Sequence, residues 1–382
     1  MTMRTLFLLS AAATALAAQD AVVFEQRPGR RFSNDKLELI VLSRGGAFSS
    51  LLLRDDPRKI DPIWNPARLA RETGVDSTFG ASFGHFVCVD GFGPVSEQEQ
   101  AAGLPGHGEA HRQPWELVSA GKSGKTLTAI FRAALPLVQE VLTRKLEMVD
   151  GENVVWVESG LESLVAFDRP VFWAEHGTIG APFLAPETTV VDSSVAGCRT
   201  RAHPAKPGAV PRRLAPSRDF VWPMAPTVAG GLVDLRIAPA NPNSMDHTTC
   251  LMDPNRGLVF VTALNLEKRL LLGYLFRREE FPWVQNWMNY PPSGKLVRGL
   301  EFSTQPFDVP RRQALEASPM FGAPTYRWLP AKSKIGSRYL MFYTQVPEGL
   351  RRVDDVTLAG GRLTVEDRSS GVRVVLAASL SL

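Results

Sequence analysis

Short apolar segments of strand length recur along the chain, and several of them alternate with polar residues. Leu37–Leu42 and Phe48–Leu53 flank a glycine-containing turn at 44–47. Apolar and polar residues alternate in Thr126–Arg132 and in Asn153–Glu158. A period of two is typical of a strand with one buried face, since successive side chains point to opposite faces. These segments therefore predict β-strands.

The second half of the chain continues the pattern. Leu258–Thr262 and Leu270–Phe276 are apolar runs of strand length, and Arg338–Thr344 has the aromatic content of a strand. Arg362–Val365 and Gly371–Leu376 are separated by a short polar turn, which predicts a hairpin. Strands and turns thus alternate from one end of the chain to the other.

Helical signals are few. Asn65–Glu72 has a capping residue followed by proline in the first turn, and Val309–Glu316 is similar. The 29 prolines and 31 glycines lie mostly between the predicted strands. Many short strands with turn signals between them predict an all-β sandwich or barrel. We interpret residues 19–382 as one domain, although the proline-rich stretch at 202–216 could hide a boundary.

The first 18 residues have a different character. Met1–Arg4 is a short positive region, Leu6–Leu16 is apolar, and Ala15–Ala17 has the small residues of a signal-peptidase site. The apolar stretch is shorter than the roughly 20 residues that a membrane-spanning helix needs. Residues 1–18 are therefore predicted to be a cleaved signal peptide, and the mature protein to be secreted or periplasmic. A buried N-terminal helix is the alternative.

Composition and charge exclude some partners. The chain has 382 residues, 44% of them hydrophobic, with a net charge of +4 and 43 basic residues dispersed among 39 acidic ones. No long basic run is present, so nucleic acid is not an expected partner. No further apolar stretch is long enough to predict a membrane span.

The chain has three cysteines, Cys88, Cys198 and Cys250. An odd number does not indicate a disulfide framework. One disulfide plus a free thiol and three buried thiols are both compatible with the sequence. Neither the number nor the spacing predicts a metal site.

Three polar residues occur in short apolar or glycine-rich segments and suggest one acid–base site. His107 lies between Gly106 and Gly108, His176 lies in an apolar strand, and Glu301 lies between Leu300 and Phe302. A buried carboxylate needs a partner or a task. Opening a pyranose ring requires a base for the C1 hydroxyl and an acid for the ring oxygen, and a glutamate and a histidine can supply them without a cofactor.

Each of the three residues also has a purely structural interpretation. His107 could hydrogen-bond to the backbone of its own loop, His176 could be a core histidine, and Glu301 could belong to a buried salt bridge. His107 and His111 have the i, i+4 spacing of a zinc motif, but glycine and proline around His107 oppose the helix which that motif needs. Glu175 precedes His176, so on a strand it points to the opposite face and is expected to be structural.

At these segments the sequence resembles the aldose 1-epimerase, or galactose mutarotase-like, superfamily. The resemblance covers most of residues 35–310 and is carried by Gly45–Leu51, Ile63–Pro66, Leu104–Gly108 with Trp115–Leu117, and the surroundings of His176 and Glu301. It implies a large antiparallel β-supersandwich. It also implies that Glu301 is the catalytic base, that His176 is the catalytic acid and that His107 assists at the ring oxygen.

The sequence departs from the family pattern in three places. Gly177–Gly180 follows His176 where typical members have an aromatic-Phe-Asn pattern. The substrate-holding arginine of the family has no clear counterpart in Ser77–His85. Asp246 and Asp234 compete for the role of its hydroxyl-binding aspartate, and Asp246 is our choice. The fold is therefore expected to transfer better than the substrate.

Aromatic and amide side chains precede Glu301 and suit a sugar. Trp283, Asn286 and Trp287 are predicted to bind it, since rings stack on the apolar face of a sugar and amides bond to its hydroxyls. Core packing is the alternative for at least half of this group. The predicted function is cofactor-independent interconversion of sugar anomers. A non-catalytic carbohydrate-binding protein and a polysaccharide-processing enzyme on the same scaffold are the alternatives.

Overall fold

The computed structural model describes residues 19–74, 83–202 and 210–382. The predicted signal peptide lies outside these residues. The described chain consists mainly of antiparallel strands, which confirms the all-β prediction. It contains three short helices: α1 (Pro66–Thr73), α2 (Glu97–Ala101) and α3 (Arg311–Glu316).

The strands of the first half of the described chain are β1 (Gln19–Phe24), β2 (Arg27–Ser33), β3 (Leu37–Leu42), β4 (Phe48–Leu53), β5 (Phe86–Val89), β6 (Glu116–Ser123), β7 (Thr126–Leu135), β8 (Glu140–Val149), β9 (Val154–Ser163), β10 (Arg169–Val171), β11 (Trp173–Gly180), β12 (Thr189–Ser193) and β13 (Val195–Thr200). Those of the second half are β14 (Asp219–Val221), β15 (Met224–Pro226), β16 (Leu232–Asp234), β17 (Ser244–Met252), β18 (Leu258–Asn265), β19 (Leu270–Arg277), β20 (Trp283–Tyr290), β21 (Val297–Ser303), β22 (Arg327–Leu329), β23 (Lys334–Gln345), β24 (Asp355–Ala359), β25 (Arg362–Asp367) and β26 (Val372–Ala377). Every segment that the apolar pattern predicted to be a strand is one.

Two large sheets form the sandwich. The first has nine strands in the order β16-β15-β14-β13-β17-β20-β21-β11-β5, and the second has eight in the order β12-β18-β19-β23-β9-β8-β7-β6. One continuous apolar core contains residues of both sheets, for example Phe302 and Val284 from the first and Tyr339 and Leu272 from the second. The opposite face of the nine-stranded sheet is left for the candidate site.

Strands β18, β19, β23 and β9 of the eight-stranded sheet are covered on both faces, which explains the continuous apolar sequence of β19, whereas β6 and β7 have exposed residues. In β19 the even-numbered residues from Leu270 to Phe276 pack into the main core. The odd-numbered Leu271 and Leu275 pack against the C-terminal three-stranded sheet of β24, β25 and β26. A strand buried on both faces has no polar side to expose, so its sequence does not alternate.

The helices begin where the local sequence allows. Asn65 caps α1 by accepting a hydrogen bond from the Arg68 backbone N–H, and Pro66 occupies the first turn. Helix α3 begins at Arg311, directly after Pro310. Helix α2 was not predicted, although Ser96 and Glu99 form a capping box there.

Cys198 and Cys250 form a disulfide between directly opposite residues of β13 and β17. Cys88 is a buried free thiol. Of the two arrangements that the sequence left open, the structure therefore has one disulfide plus one free thiol. None of the helices in the described part of the chain has the length and apolar character that a membrane crossing requires.

Candidate functional site

His176 and Glu301 are brought together by strand register. They are directly opposite each other on the antiparallel strands β11 and β21. Directly opposite residues share a face of the sheet, so both side chains project from the face away from the main core. His176 Nε2 lies 3.3 Å from Glu301 Oε1. Although 125 residues separate them in the sequence, the two side chains form one pair.

The position of the Glu301 carboxylate depends on a glycine. Gly299 precedes Glu301 by two residues on the same face of β21, and the Glu301 side chain folds back over it. A Cβ atom added to Gly299 would lie 1.9 Å from Glu301 Oε1. Any side chain at position 299 would therefore occupy the space of the carboxylate.

Aromatic rings fix the His176 imidazole. Phe86 lies directly opposite His176 on β5, and the two rings stack with centroids 4.3 Å apart. Phe92 contacts the imidazole edge-to-face at 5.9 Å. His176 Nδ1 lies 2.9 Å from Thr178 Oγ1, which leaves Nε2 directed at Glu301. The ring is thus held by contact with two aromatic rings and through one of its nitrogen atoms.

His107 joins this pair from a loop. Its ring centroid lies 5.4 Å from that of His176. The residue has a positive φ of 66°, between Gly106 and Gly108. The Gly93 backbone N–H donates to His107 Nδ1 over 3.2 Å. Because a backbone N–H can only donate, Nδ1 is the acceptor and the neutral ring carries its proton on Nε2. His107 can therefore offer an Nε2–H donor to a ligand.

Burial keeps the site residues uncharged. It lowers the pKa of His107 to about 4. Burial, reinforced by neighbouring His107, lowers the pKa of His176 well below its ordinary value. Burial, reinforced by the charge of Asp308, raises the pKa of Glu301 well above its ordinary value. Near neutral pH the His176–Glu301 pair therefore holds one proton between its two members, the neutral form being favoured.

The nine-stranded sheet contributes further polar residues that the sequence did not single out. His247 lies on β17 and Gln285 on β20, where Gln285 is directly opposite Glu301. His247 Nδ1 lies 3.3 Å from Asp308 Oδ1, and Arg201 Nη1 lies 2.6 Å from the same oxygen. His247 and Gln285 alternate with core-facing residues and could have been found from that alternation. Asp308 lies in a loop, and nothing in the sequence marks it.

Two of the predicted ligand-binding residues lie on the other face of the sheet. Asp246 is opposite Met288, and Asn286 is opposite Thr248, one position out of phase with Glu301 and its partners. Asp246 accepts hydrogen bonds from the backbone and side chain of Arg213. Asn286 accepts one from Arg298 at 3.0 Å. The prediction that they bind a ligand beside Glu301 does not agree with these positions, because strand alternation turns both away from it.

The two tryptophans that were predicted to bind a sugar lie on the same face of the sheet as Glu301, but they differ in solvent exposure. Trp283 is fully buried against Leu251 and Met320, and its indole N–H donates to the Pro324 carbonyl. Because it is fully buried, it cannot stack on a ligand. Trp287 is half-buried, directly opposite His247, with its ring edge-to-face against Trp64.

The remaining candidates have structural surroundings. Glu175 faces the main core, as predicted, and accepts hydrogen bonds from Arg144 and Tyr339 and one from the Trp173 indole. Asp234 lies at the far edge of the sheet, paired with Arg236. Residues 77–82, in the segment that has no clear counterpart of the family's substrate-holding arginine, lie outside the described residues.

The zinc interpretation gains no support from the geometry. His107 and His111 lie in a loop with ring centroids 6.0 Å apart. Among the described residues, no group of three or more histidine, cysteine, aspartate or glutamate side chains is arranged to hold a metal ion.

Comparison with solved structures identifies the class of fold. A galactose mutarotase-like protein from Clostridium acetobutylicum superposes with a TM-score of 0.58 at 12% identity, covering 86% of this chain and 98% of that one. A candidate aldose 1-epimerase from Klebsiella pneumoniae gives 0.60 at 13% identity, covering 86% and 83%. A galactose mutarotase related enzyme from Lactobacillus acidophilus gives 0.55 at 12% identity, covering 85% and 100%.

The chain therefore has the galactose mutarotase-like fold, and the predicted supersandwich is confirmed. At identities of this size the likeness establishes the fold alone. No family model matches the sequence, and no curated protein matches it.

Proposed function

We propose that the protein interconverts the anomers of a sugar by acid–base ring opening, with Glu301 and His176 as the catalytic pair. The observation that carries the proposal is the 3.3 Å separation of His176 Nε2 and Glu301 Oε1. In a pyranose, the C1 hydroxyl and the ring oxygen are bonded to the same carbon. The base for one and the acid for the other must therefore be neighbours, as these two side chains are.

The pair can complete the reaction without exchanging protons with solvent. In the form that reacts, Glu301 is ionised and His176 is protonated. Glu301 takes the proton of the C1 hydroxyl, the bond between C1 and the ring oxygen breaks, and His176 gives its proton to the ring oxygen. The pair ends as protonated Glu301 and neutral His176, with the same proton count. Rotation about C1–C2 and the reverse steps close the ring on the other face.

His107 supports the transfer as a fixed donor. Its Nε2–H is available because Nδ1 is occupied by the Gly93 N–H. Its low pKa, near 4, keeps it neutral, so it adds a hydrogen bond without a competing positive charge beside His176. A donor at the ring oxygen stabilises the negative charge that develops there. Trp287 would supply an apolar ring for the sugar.

The proposal includes export. The N-terminal segment has the three parts of a signal peptide. A disulfide between Cys198 and Cys250 is compatible with an oxidising compartment, where such bonds persist.

Replacement of Glu301 by Gln tests the catalytic assignment. Gln keeps the size and can accept a hydrogen bond, but it cannot take a proton. Loss of one general acid–base group reduces a rate by roughly 10²- to 10⁴-fold. Anomer exchange would be followed by polarimetry and by NMR across a panel of aldoses. Glu116→Gln, an exposed glutamate on β6, is the matched control. Unchanged turnover in Glu301→Gln would refute the assignment.

The same panel separates catalysis from binding alone. Sugar binding would be measured by calorimetry on the wild-type protein. Binding without anomer exchange would favour the carbohydrate-binding alternative, and cleavage of an oligosaccharide would favour the polysaccharide-processing one.

A further inference from the structure

We infer that the Thr178 hydroxyl sets the tautomer of His176: by accepting the Nδ1–H of the imidazole, it leaves Nε2 as the unprotonated nitrogen that faces Glu301. Thr178 is thereby a positioning residue for the proposed acid. The inference rests on the proposed function, in which a proton must pass between the imidazole and the carboxylate. Thr178 belongs to the Gly177–Gly180 segment, where the sequence departs from the family pattern.

Strand β11 holds the Thr178 hydroxyl beside the imidazole. Thr178 and His176 are two positions apart, so their side chains project from the same face of the sheet. Thr178 is directly opposite Gly299 on β21, and its carbonyl accepts the Trp64 backbone N–H over 3.0 Å. The residue is fully buried, and a β-branched side chain has few χ1 rotamers. The hydroxyl oxygen therefore has a fixed position.

The acceptors around the hydroxyl define the direction of its hydrogen bonds. His176 Nδ1 lies 2.9 Å from Thr178 Oγ1. The Thr178 hydroxyl donates to the His176 backbone carbonyl over 3.5 Å. Because a carbonyl can only accept, this bond uses the hydroxyl proton and leaves the hydroxyl oxygen to accept from Nδ1–H. The neutral His176 ring thus carries its proton on Nδ1.

The other nitrogen of the ring is then an acceptor for the proton of Glu301. His176 Nε2 lies 3.3 Å from Glu301 Oε1, and that oxygen makes no hydrogen bond to a described residue. With the ring proton on Nδ1, the Glu301 carboxyl can pass its own proton to Nε2 and reach the ionised form that reacts. With the ring proton on Nε2, that nitrogen could not accept. Contacts between catalytic groups often tighten only when a substrate is bound.

His107 has the opposite tautomer. Its Nδ1 accepts from the Gly93 backbone N–H, so its proton is on Nε2. The site therefore combines one imidazole that donates through Nε2 with one that accepts through Nε2. A backbone group sets the first tautomer and the Thr178 hydroxyl sets the second. Replacement of Thr178 should therefore change the tautomer of His176 and leave that of His107 unaltered.

Thr178→Val tests the inference, because valine keeps the branched shape and removes the hydroxyl. The kcat for anomer exchange should fall about 10- to 100-fold, as for other hydrogen-bond partners that orient a functional histidine. KM should stay within about twofold, because the buried Thr178 side chain does not bind the sugar. Thr178→Ser keeps the hydroxyl and should retain most of kcat. Thr262→Val, which removes a buried hydroxyl from β18 in the other sheet, is the matched control.

Nitrogen-15 NMR of the two histidines reads the tautomers without any measurement of activity. Near neutral pH, wild-type His176 should carry its proton on Nδ1 and His107 on Nε2, with signals assigned from His176→Gln and His107→Gln. In Thr178→Val the His176 signals should move toward the Nε2–H tautomer while those of His107 stay in place. Thr178→Ser should resemble the wild type.

Two results would overturn the inference. One is an Nε2–H tautomer of His176 in the wild type, which decides the matter even if Thr178→Val does not fold. The other is an unchanged kcat in Thr178→Val, with thermal unfolding showing that the variant is folded. A wild type that has the Nδ1–H tautomer of His176 but does not exchange anomers would refute the proposed function and leave the tautomer assignment intact.

Discussion

The Glu301 carboxylate lies over the α-carbon of Gly299, at a place where any β-carbon would be within 1.9 Å of Oε1. The missing side chain leaves room for the carboxylate, whose Oε1 lies 3.3 Å from His176 Nε2. The geometry of the proposed catalytic pair thus depends on a residue that has no side chain.

Gly299→Ala should therefore displace the Glu301 carboxylate and reduce kcat for anomer exchange by roughly 10²-fold or more, because misplacement of a reacting group by about 1 Å can cost this much. The measurement is polarimetry at saturating sugar. Gly121→Ala, in β6, is the matched control, since an added methyl group there meets no atom within 4 Å. Equal activity of the two variants would show that the carboxylate does not need its observed position.

The pH profile of anomer exchange should have an unusually wide plateau. The active form of the Glu301–His176 pair holds one proton. The second proton is added only below the lowered pKa of His176, and the last proton is lost only above the raised pKa of Glu301. If Glu301 and His176 had their ordinary pKa values of 4.5 and 6.5, activity would be constant only between pH 4.5 and pH 6.5. A plateau confined to that interval would contradict the shifted pKa values of the pair.

Two neighbouring buried acids, Asp90 and Glu140, should make the stability of the protein depend on pH. Arg169 contacts both Asp90 and Glu140. Burial, reinforced by the charge of Asp90, raises the pKa of Glu140 to about 9. The folded state thus binds more protons than the unfolded state between pH 4.5 and about 9, and the free energy of unfolding falls as the pH rises through that range.

Glu140→Gln should remove most of this dependence, which amounts to at most about 1.4 kcal/mol for each pH unit. Denaturant unfolding at pH 6 and pH 9 is the measurement. The variant should lose less stability than the wild type between these two conditions. Glu116→Gln should behave as the wild type does, and parallel losses in all three proteins would contradict a raised Glu140 pKa.

The disulfide predicts a simple thiol count. Cys198 and Cys250 are bonded and Cys88 is free and buried, so the oxidised protein should show no reactive thiol when folded and one when unfolded without reductant. Reduction should lower the free energy of unfolding by roughly 2–5 kcal/mol. Cys88→Ser should abolish the single thiol while leaving the sensitivity to reductant, and three thiols in the unfolded protein would exclude the disulfide.

Local pattern predicted much of the fold. Strands were identified from the alternation in Thr126–Arg132 and from the apolar character of Leu270–Phe276. This was possible because the side-chain period of a strand and its burial determine which residue types occur along it. The Asn65–Pro66 pair located the first helix for a similar local reason. The residue types of His107, His176 and Glu301 suggested one acid–base site, but the sequence did not predict that His176 and Glu301 lie opposite each other on adjacent strands.

Tertiary structure decided which face each residue occupies and which loop residues reach the site. Asp246 and Asn286 were reasonable sugar ligands by residue type, but the register of β17 and β20 turns them away from Glu301. Asp308 could not be singled out from the sequence, because it lies in a loop and its backbone carbonyl is held by the guanidinium of Arg201, which is 107 residues away in the sequence. The sequence by itself determined the strands and supplied the three candidate residues, Glu301, His176 and His107. The pairing of distant strands, which no local pattern encodes, placed them within reach of one another.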